Sequence, residues 1–345
     1  MKQNLYGLTL SELTRLVVDY SEPQYRANQL FSWLYHQRVT SLDQMTNLSK
    51  SFRSRLSDNW EISLPTISKV DESSDGTKKY LYPLGPTTLV ESAYIPESDR
   101  KTLCISTQGG CKMACLFCMT ARQGLQTQLT AGQIVGQLAV IPEASQVTNL
   151  VYMGMGEPLD NTDAVLKSIE LFTQGFGISP KKITLSTIGI IPGLRRVLEQ
   201  TQVQIAISLH SPFSQERKRI MPIESVFPLR DVLEVLKDYD FSNRKLSFEY
   251  ILFENLNDSE DHALELVKLL NPFRCRINLL HFHPLPNTPL KPCPREKMEA
   301  FQAILKSKGL IATIRKSRGE DIQAACGLLS TKELVRTNQN HEPDY

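Results

Sequence analysis

Hydrophobic positions follow a helical spacing in the first part of the chain and a mixed spacing after about residue 90. The segment TLSELTRLVVDYS carries a capping box, with Thr9 as the N-cap and Glu12 three residues later, followed by an apolar stripe on one helix face. The helical spacing continues in QYRANQLFSWLYHQR and NLSKSFRSRLSDNW, and a turn at Asp75-Gly76 then introduces short strand-like runs. The pattern predicts a small N-terminal helical domain and a short β segment, together covering residues 1–90.

From Lys101 onward, short β-rich segments alternate with segments of helical spacing. The predicted strands are TLCIST, NLVYMGM, KITLSTIG, QIAISLH, KLSFEYILF, RINLLHF and IATIRKS. The predicted helices between them include TAGQIVGQLAVI, AVLKSIELF, SEDHALELVKLL and REKMEAFQAILKSKG. Repeated β-α units predict an α/β fold with a parallel sheet, either open or curled into a barrel.

Residues with reactive or polar side chains fall at the ends of the predicted strands. In chain order they are Cys111 to Cys118, Gly156-Glu157-Pro158, Ser186, Ser208 to His210, His283 and Cys326. Reactive groups of parallel β-α folds lie at the C-terminal strand ends. The pattern therefore predicts one site built from several strands.

The composition restricts the size, the compartment and the kind of site that this chain can have. The 345 residues, 41% of them hydrophobic, suffice for one large core and a small accessory domain. The start MKQNLYGLTLSELTRLV does not look like a secretory signal, and no run of about 18 apolar residues occurs, so we expect a cytoplasmic protein without a membrane partner. Seven cysteines in a reducing compartment favour metal binding or catalysis over a disulfide scaffold.

The charge balance bears on possible nucleic-acid binding. With 39 Lys and Arg against 37 Asp and Glu, the chain has little long-range attraction for a polyanion, so local patches would have to hold one. Candidate phosphate contacts are Arg217, Lys218, Arg219, Arg315, Lys316 and Arg318.

Three cysteines in GGCKMACLFCMT, Cys111, Cys115 and Cys118, lie within eight residues. A structural zinc site usually closes four ligands in two separated pairs. Three clustered thiolates suit three irons of a [4Fe-4S] cluster better, which leaves the fourth iron open to chelate a substrate. The sequence favours the cluster, and a zinc site remains the alternative.

The cysteine loop, with Phe117 before its last cysteine, resembles the signature of radical S-adenosylmethionine enzymes. Six motifs in the same order resemble the RNA adenine-C2 methyltransferases of the RlmN type: RKTLCISTQGGCKMACLFCMT, VYMGMGEPLDN, ITLSTIGIIPG, AISLHSP, INLLHFHPLP and RKSRGEDIQAACG. The resemblance extends from the N-terminal helical domain to about residue 330. It implies a partial (β/α)6 radical-SAM barrel over residues 91–330, between an RNA-associated accessory domain with a β linker (1–90) and a C-terminal tail (331–345).

The resemblance also implies an activity. Members of the family transfer a methyl group, by way of an S-methylcysteine, to C2 of an adenine in the peptidyl-transferase centre of 23S rRNA and of the adenine next to the anticodon in tRNAs. The implied cofactors are one [4Fe-4S] cluster on three cysteines and two S-adenosylmethionine molecules per turnover. The implied partners are 23S rRNA before ribosome assembly is complete, tRNA, a one-electron donor and a thiol reductant.

Residue roles follow from the same resemblance. Cys111, Cys115 and Cys118 match the cluster ligands, and Gly156 with Glu157 matches the motif that recognises the amino group of S-adenosylmethionine. The other matches to cofactor contacts are Ser186, Ser208, Leu209, His210 and His283, the last of which stands where the common family pattern has asparagine.

Three further residues match the groups that handle the methyl carrier. Cys326 matches the thiolate that is methylated. Hydrogen abstraction from its S-methyl group then gives a methylene radical that adds to C2. Cys104 matches the resolving thiolate, whose attack on the sulfur of Cys326 forms a disulfide and releases methylated RNA. Glu91 matches the base that takes the C2 proton, while Cys275 and Cys293 match no role.

Two other functions stay open on the sequence. The sister enzymes that methylate C8 of the same rRNA adenine and confer antibiotic resistance share STIGIIP and SLHSPFSQER, whereas GEPL and RKSRGEDI favour the C2 type. A non-catalytic, zinc-stabilised RNA-binding protein is the remote alternative, and it assigns no use to Cys104 and Cys326.

Overall fold

The computed structural model describes residues 2–85, 88–325 and 327–329. The N-terminal part contains a parallel pair of two-residue strands and three helices, of which the second continues as a π-helical turn over Ser32–His36. These elements are β1 (Gln3–Asn4), α1 (Leu10–Asp19), α2 (Tyr25–Phe31), α3 (Lys50–Asn59) and β2 (Trp60–Glu61).

The predicted capping box at the start of α1 is confirmed. The Thr9 hydroxyl accepts the N–H of Glu12 at 3.3 Å, and the Glu12 carboxylate accepts the N–H of Thr9 at 2.8 Å. The apolar stripe of α1 is buried in a hydrophobic core that continues into the helices outside the main sheet. Lys167 also pairs with Glu12 at 2.6 Å. The N-terminal helices therefore share one core with the rest of the described chain.

The remaining strands and helices alternate as the sequence predicts. The strands are β3 (Lys69–Glu72), β4 (Lys78–Pro83), β5 (Leu89–Pro96), β6 (Lys101–Cys104), β7 (Gln108–Cys111), β8 (Gly124–Gln128), β9 (Asn149–Tyr152), β10 (Ile183–Thr187), β11 (Gln204–Ser208), β12 (Leu246–Leu252), β13 (Cys275–His281) and β14 (Ile311–Ile314). The helices are α4 (Met119–Arg122), α5 (Ala131–Ala139), α6 (Thr162–Gln174), α7 (Ile191–Gln200), α8 (Ser214–Ile220), α9 (Leu229–Lys237), α10 (Glu260–Leu270) and α11 (Arg295–Ser307).

Within the described residues, the main sheet has the order β14-β13-β12-β11-β10-β9-β6-β5-β4-β3. Strand β6 and the strands from β9 to β14 are parallel to one another. Strand β5 pairs antiparallel with β6, and β4 and β3 continue this antiparallel extension. Six helical connections join the parallel strands, which is the open, partial (β/α)6 architecture predicted from the sequence.

Two features of the sheet were not predicted. The boundary expected at residue 90 falls inside β5, so the short strands before it extend the main sheet. The stretch that leads into the cysteine loop forms an antiparallel pair, β7 with β8. The sequence did not predict this pair because its residues are polar and glycine-rich and carry no strand-like alternation. No helix in the described ranges is long and apolar enough to cross a bilayer.

Candidate active site

The cysteine loop connects β7 to α4 at the C-terminal end of the parallel strands. Cys111 is the last residue of β7, and Cys118 is the N-cap of α4. Between them, Ala114 has a φ of 54°, and the N–H of Leu116 donates to the carbonyl of Ile220 at 3.0 Å. The loop is thus tied to the end of α8 and turns its three thiols into one cavity.

This cavity, called here the cysteine-loop cavity, gathers most of the predicted site. Its walls include eight of the predicted residues: Cys111, Cys115, Cys118, Gly156, Glu157, Ser186, Ser208 and His210. The ends of strands that are far apart in sequence supply these side chains, as expected for a parallel sheet.

The raised pKa values of the loop thiols favour a bound cation. Burial raises the pKa of all three thiols, that of Cys111 to about 12, and the neighbouring Cys118 raises it further for both Cys111 and Cys115. Buried thiols of this kind ionise only when a positive charge compensates them, and a coordinated metal deprotonates a thiol outright. The loop therefore has the donor chemistry of a metal site.

The number and placement of the thiols favour a cluster over a single ion. All three come from one loop between β7 and α4, whereas a structural zinc site usually closes four ligands in two separated pairs. Three thiolates would hold three irons of a [4Fe-4S] cluster and leave the fourth iron open. The donor set therefore fits an iron-sulfur cluster better than zinc.

The segment after β9 closes the cavity with a tight backbone turn. Gly156 has a φ of 102°, and a Cβ at this position would lie 2.6 Å from Cβ of Gln108, so only glycine fits without strain. The Gln108 amide oxygen accepts the N–H of Glu157 at 2.8 Å, which holds this segment against the start of β7.

Glu157 lines the cavity, but its carboxylate is bonded to the protein itself. The oxygen Oε1 accepts the hydroxyl of Thr187 at 2.5 Å and the N–H of Leu159 at 3.0 Å, while Oε2 accepts the N–H of Ile188 at 3.1 Å. Burial raises the pKa of the Glu157 carboxyl to about 7, although these hydrogen bonds oppose the shift. The side chain therefore ties the ends of β9 and β10 together.

His210 is held as a neutral ring in the cavity wall. Its Nδ1 accepts the N–H of Ile251 at 3.0 Å, so the single proton of the neutral imidazole is on Nε2. Burial, with Arg217 nearby, lowers the pKa of His210 to about 3. The backbone has a φ of 58°, and the ring contacts Phe117 edge to face at 4.7 Å. His210 therefore presents a fixed N–H donor.

Leu209 was expected to contact the cofactor, and its side chain does not reach the cavity. It is fully buried in the main hydrophobic core, and its backbone carbonyl accepts from Nε of Arg217 at 3.0 Å. Consecutive residues of a strand point to opposite faces, so Ser208 and Leu209 cannot both face the cavity.

A second cavity adjoins the first and is called the Cys104 cavity. Its walls include Cys104 and His283, together with four basic side chains: Arg100, Arg315, Lys316 and Arg318. The two cavities share four wall residues: Met153, Leu280, Arg315 and Leu329. A ligand in one would therefore contact the wall of the other.

His283, expected to contact the cofactor, lies in this second cavity. Its Nε2 is 2.9 Å from the Ser317 hydroxyl, and its Nδ1 is 4.0 Å from Glu320. Burial lowers the pKa of His283 below its usual value. It is absent from the described residues that line the cysteine-loop cavity.

Glu91 points to the same side of the sheet as the Cys104 cavity without lining it. It is on β5 two positions before Ala93, which pairs with Cys104 on β6, so both side chains face the same way. Glu91 is buried, and Lys79 lies 3.3 Å from its Oε1.

Comparisons with known proteins agree with this geometry. Residues 3–62 match the family described as ribosomal RNA large subunit methyltransferase N-terminal domain, and residues 105–267 match the radical SAM superfamily. A protein named probable dual-specificity RNA methyltransferase RlmN, from Parabacteroides distasonis, is 50% identical over 337 residues, covering 97% of this chain and 98% of that protein. The chain belongs to the RlmN family of radical SAM methyltransferases.

Two more distant proteins support RlmN membership. A dual-specificity RNA methyltransferase RlmN from Syntrophus aciditrophicus is 42% identical over 338 residues, covering 96% of this chain and 97% of that protein. A crystal structure of a radical SAM methyltransferase from Sphaerobacter thermophilus superposes with a TM-score of 0.87 at 35% identity, covering 94% of this chain and 98% of that one. The chain is thus a methyltransferase whose family implies S-adenosylmethionine and a [4Fe-4S] cluster. These findings do not favour the C8 enzyme or the non-catalytic zinc protein.

Arg217 has a structural role in this RlmN-family chain, against the expectation that it grips phosphate. It is fully buried on α8 and forms an ion pair with Glu224. Its guanidinium also donates to the carbonyls of Ile188, Ser208 and Leu209, so it joins the ends of β10 and β11. Its neighbours Lys218 and Arg219 are exposed.

Glu249, which also lines a cavity, was not identified from the sequence. Glu249 on β12 lines the cysteine-loop cavity, and its carboxylate accepts from the Asn278 amide at 2.8 Å. Burial raises the pKa of Glu249. The sequence signal that could have identified Glu249 is a single carboxylate within the largely apolar strand KLSFEYILF.

Cys326 lies outside the described residues. The described residues on either side of it line the two cavities: Ala325 lines the Cys104 cavity, and Gly327 lines the cysteine-loop cavity. The carbonyl of Gly327 accepts the N–H of Met119 at 2.9 Å, which ties that residue to the start of α4.

Proposed function

We propose that this RlmN-family enzyme transfers a methyl group, by way of S-methylated Cys326, to C2 of an adenine in the peptidyl-transferase centre of 23S rRNA and of the adenine next to the anticodon in tRNAs. Relatives that match nearly the whole chain carry the name dual-specificity RNA methyltransferase. The observation that carries the proposal is the common wall of the two cavities, one lined by the cysteine loop and the other by Cys104.

The cysteine-loop cavity is the proposed cofactor site. Cys111, Cys115 and Cys118 would bind one [4Fe-4S] cluster, and two S-adenosylmethionine molecules would be consumed per turnover. When bound, these groups supply the methyl group and the one-electron chemistry that an electron-poor carbon such as adenine C2 requires. The raised thiol pKa values support this assignment, because metal ligation is what would keep these buried sulfurs ionised.

The chain's own polar groups would orient the cofactor. Ser186 and Ser208 line the cavity at the ends of β10 and β11, and the Nε2–H of His210 is a fixed donor that stays neutral across physiological pH. Gly156 allows the backbone to approach closely. Since the Glu157 carboxylate already accepts three hydrogen bonds, it acts mainly by holding the cavity wall in place.

The Cys104 cavity is the proposed site of the target adenine. After C2 has bonded to the methylene on Cys326, Glu91 would take the C2 proton. Cys104 as thiolate would then attack the sulfur of Cys326, so that an S–S bond forms while the bond from that sulfur to the methylene carbon breaks. The departing carbon would keep the electron pair and take up a proton, which releases RNA carrying a methyl group. A thiol reductant would restore both cysteines. The position of Glu91 on the strand next to Cys104 supports its role as the base.

Basic side chains around the same cavity would hold the RNA backbone. Arg100, Arg315, Lys316 and Arg318 line it, and cationic side chains neutralise phosphates in sequence-independent binding. We infer that residues 3–62, the stretch that matches the N-terminal domain family, form an accessory domain for the same RNA. The inferred partners are 23S rRNA before assembly is complete, tRNA and a one-electron donor, in the cytoplasm.

Mass analysis of RNA nucleosides tests the function directly. A strain that lacks this protein should lose 2-methyladenosine from 23S rRNA and tRNA, and the wild-type gene should restore it. Cys326→Ala should not restore it and should carry no methyl group on the protein, although it should bind cluster and S-adenosylmethionine. Restored 8-methyladenosine in place of 2-methyladenosine would overturn the proposed target carbon.

A further inference from the structure

The hairpin turn between β3 and β4 contacts the loop that follows β14. One of these contacts joins Ser73 to Asp321, which are 248 residues apart in the sequence. The Asp321 carboxylate accepts the hydroxyl of Ser73 at 2.6 Å and the N–H of Ser74 at 3.1 Å. In the opposite direction, the Asp75 carboxylate accepts the N–H of Gly319 at 3.1 Å. Each segment therefore donates to a carboxylate of the other, and we call this arrangement the Asp75–Asp321 clamp.

The turn is built to hold its half of the clamp. The other oxygen of Asp75 accepts the N–H of Thr77 at 2.9 Å, and the N–H of Ser73 donates to the carbonyl of Thr77 at 2.8 Å. Although burial opposes the shift, hydrogen bonds lower the pKa of Asp75 to about 2, and the hydrogen bond from Ser73 lowers that of Asp321. Both groups are ionised at neutral pH, so these are charge-assisted hydrogen bonds.

Gly319 transmits the clamp toward Cys104. It has a φ of 62°, and a Cβ there would lie 2.9 Å from Cγ2 of Thr77 and 2.8 Å from Cβ of Ala324. The carbonyl of Gly319 also accepts the N–H of Ala324 at 2.8 Å. Ala324 in turn packs in a small apolar cluster with Cys104 and Ala93. The glycine is thus enclosed between the hairpin turn and the residue that covers Cys104.

We propose that Asp75 and Asp321 are positioning residues that hold the segment leading to Cys326 against Cys104. Neither carboxylate is among the described residues that line the two cavities, so both act through their neighbours. Asp75 acts through Gly319 and through the wall residue Arg318, 3.8 Å away, and Asp321 acts by holding the hairpin turn through Ser73 and Ser74. The antiparallel extension of the sheet thereby serves the chemistry, because its hairpin turn supplies half of the clamp. The inference rests on the proposed roles of Cys104 and Cys326 in methyl transfer.

Thiol labelling of the anaerobic holoenzyme tests the clamp. Loss of either carboxylate should uncover Cys104, so N-ethylmaleimide should label it at least about tenfold faster in Asp75→Ala and Asp321→Ala, because each substitution removes at least one hydrogen bond to a charged group between the two segments. RNA methylation and formation of the Cys104–Cys326 disulfide should also slow in both variants, in proportion to the closed population that is lost. Iron content and the Kd for S-adenosylmethionine should remain those of the wild type.

Two further variants sharpen the test. Asp321→Asn keeps one acceptor oxygen for Ser73 and should label at an intermediate rate. The double variant Asp75→Ala/Asp321→Ala should label little faster than either single variant, because one broken half already releases the segment. Glu72→Ala is the matched control: it removes a carboxylate from the same hairpin that is 62% exposed and pairs with Lys78, and it should label like the wild type.

Wild-type labelling and disulfide rates in both alanine variants would overturn the proposal. Loss of iron in step with turnover would also overturn it, because the carboxylates would then support the fold as a whole. A wild-type protein that acquires no methyl group on Cys326 would refute the proposed function instead, and the labelling rates of Cys104 would still decide whether the clamp exists.

Discussion

Cys104 on β6 and Ala324 belong to one small buried apolar cluster and line the same cavity, and Ala324 is only two positions before Cys326 in the sequence. The contact places the proposed resolving thiol beside the segment that leads to the proposed methyl carrier. It gives the order of events a structural basis, because a resolving thiol must be within reach of the sulfur that it attacks.

Replacement of Cys104 by alanine should stop the reaction after RNA has become attached to the protein. The variant should still methylate Cys326 and add its methylene to C2, and then accumulate a covalent RNA adduct that survives denaturant. A slow-migrating band in denaturing gels, reduced by nuclease to a nucleotide on the Cys326 peptide, would show it. Ordinary turnover without adduct, in a protein with normal cluster content, would rule out the resolving role.

Replacement of any one of Cys111, Cys115 or Cys118 by alanine should abolish the iron-sulfur cluster. The reason is that a cluster held by three cysteine ligands is not bound stably by the two that remain. Cluster content is measured by iron and sulfide analysis of the anaerobically reconstituted protein and by its visible absorption. Cys275→Ala is the matched control because this cysteine lies at the start of β13, away from the loop, and should keep full iron. Stoichiometric zinc without iron in the wild type would contradict the cluster assignment.

Arg217→Met should destabilise the fold by about 3–5 kcal/mol without changing the salt dependence of RNA binding. The substitution leaves the buried Glu224 carboxylate without its cation. The double variant Arg217→Met/Glu224→Gln should recover part of the loss, because glutamine still offers an oxygen to the N–H of Leu229. Urea unfolding measures the free energies, with the exposed Arg219→Met as control.

A different outcome would support the phosphate contact that the sequence suggested for Arg217. If Arg217→Met left stability unchanged and lowered the slope of log K against log salt by about one, the residue would be bound to RNA phosphate.

The buried Glu157 carboxyl should make stability fall as pH rises. Burial raises its pKa from 4.5 to about 7, so between these values the folded protein holds a proton that the unfolded chain has released. The contribution to stability is fully present below pH 4.5 and is lost as pH rises through 7. Relative to Glu157→Gln, the cofactor-free wild type should therefore lose up to about 3 kcal/mol of unfolding free energy between pH 4.5 and 8. Urea unfolding curves that keep a constant difference between the two proteins would contradict the shift.

Local patterns in the sequence were enough to predict the alternation of strands and helices and the cysteine loop. Helices such as α1 and α6 follow from apolar residues at helical spacing, and a capping box fixes where α1 begins. The site residues Gly156, Ser186 and His210 could be assigned to one cavity because they follow parallel strands, whose C-terminal ends share one edge of the sheet.

Tertiary structure decided what each charged or polar side chain does within that frame. The sequence RKR does not reveal that Arg217 is buried while Lys218 and Arg219 are exposed, because burial depends on the elements packed around α8. Likewise, the strand end at His283 indicated a site but not which of two adjoining cavities the ring enters.

The sequence by itself determined the elements, their alternation and the set of reactive residues, since these depend on spacing over a few turns or strand positions. Only the tertiary structure joined Asp75 to Gly319 and Ser73 to Asp321, or bound the Glu157 carboxylate to the end of β10. Those contacts connect residues tens or hundreds of positions apart. They arise when segments far apart in the sequence pack together in the folded chain, and no local periodicity encodes them.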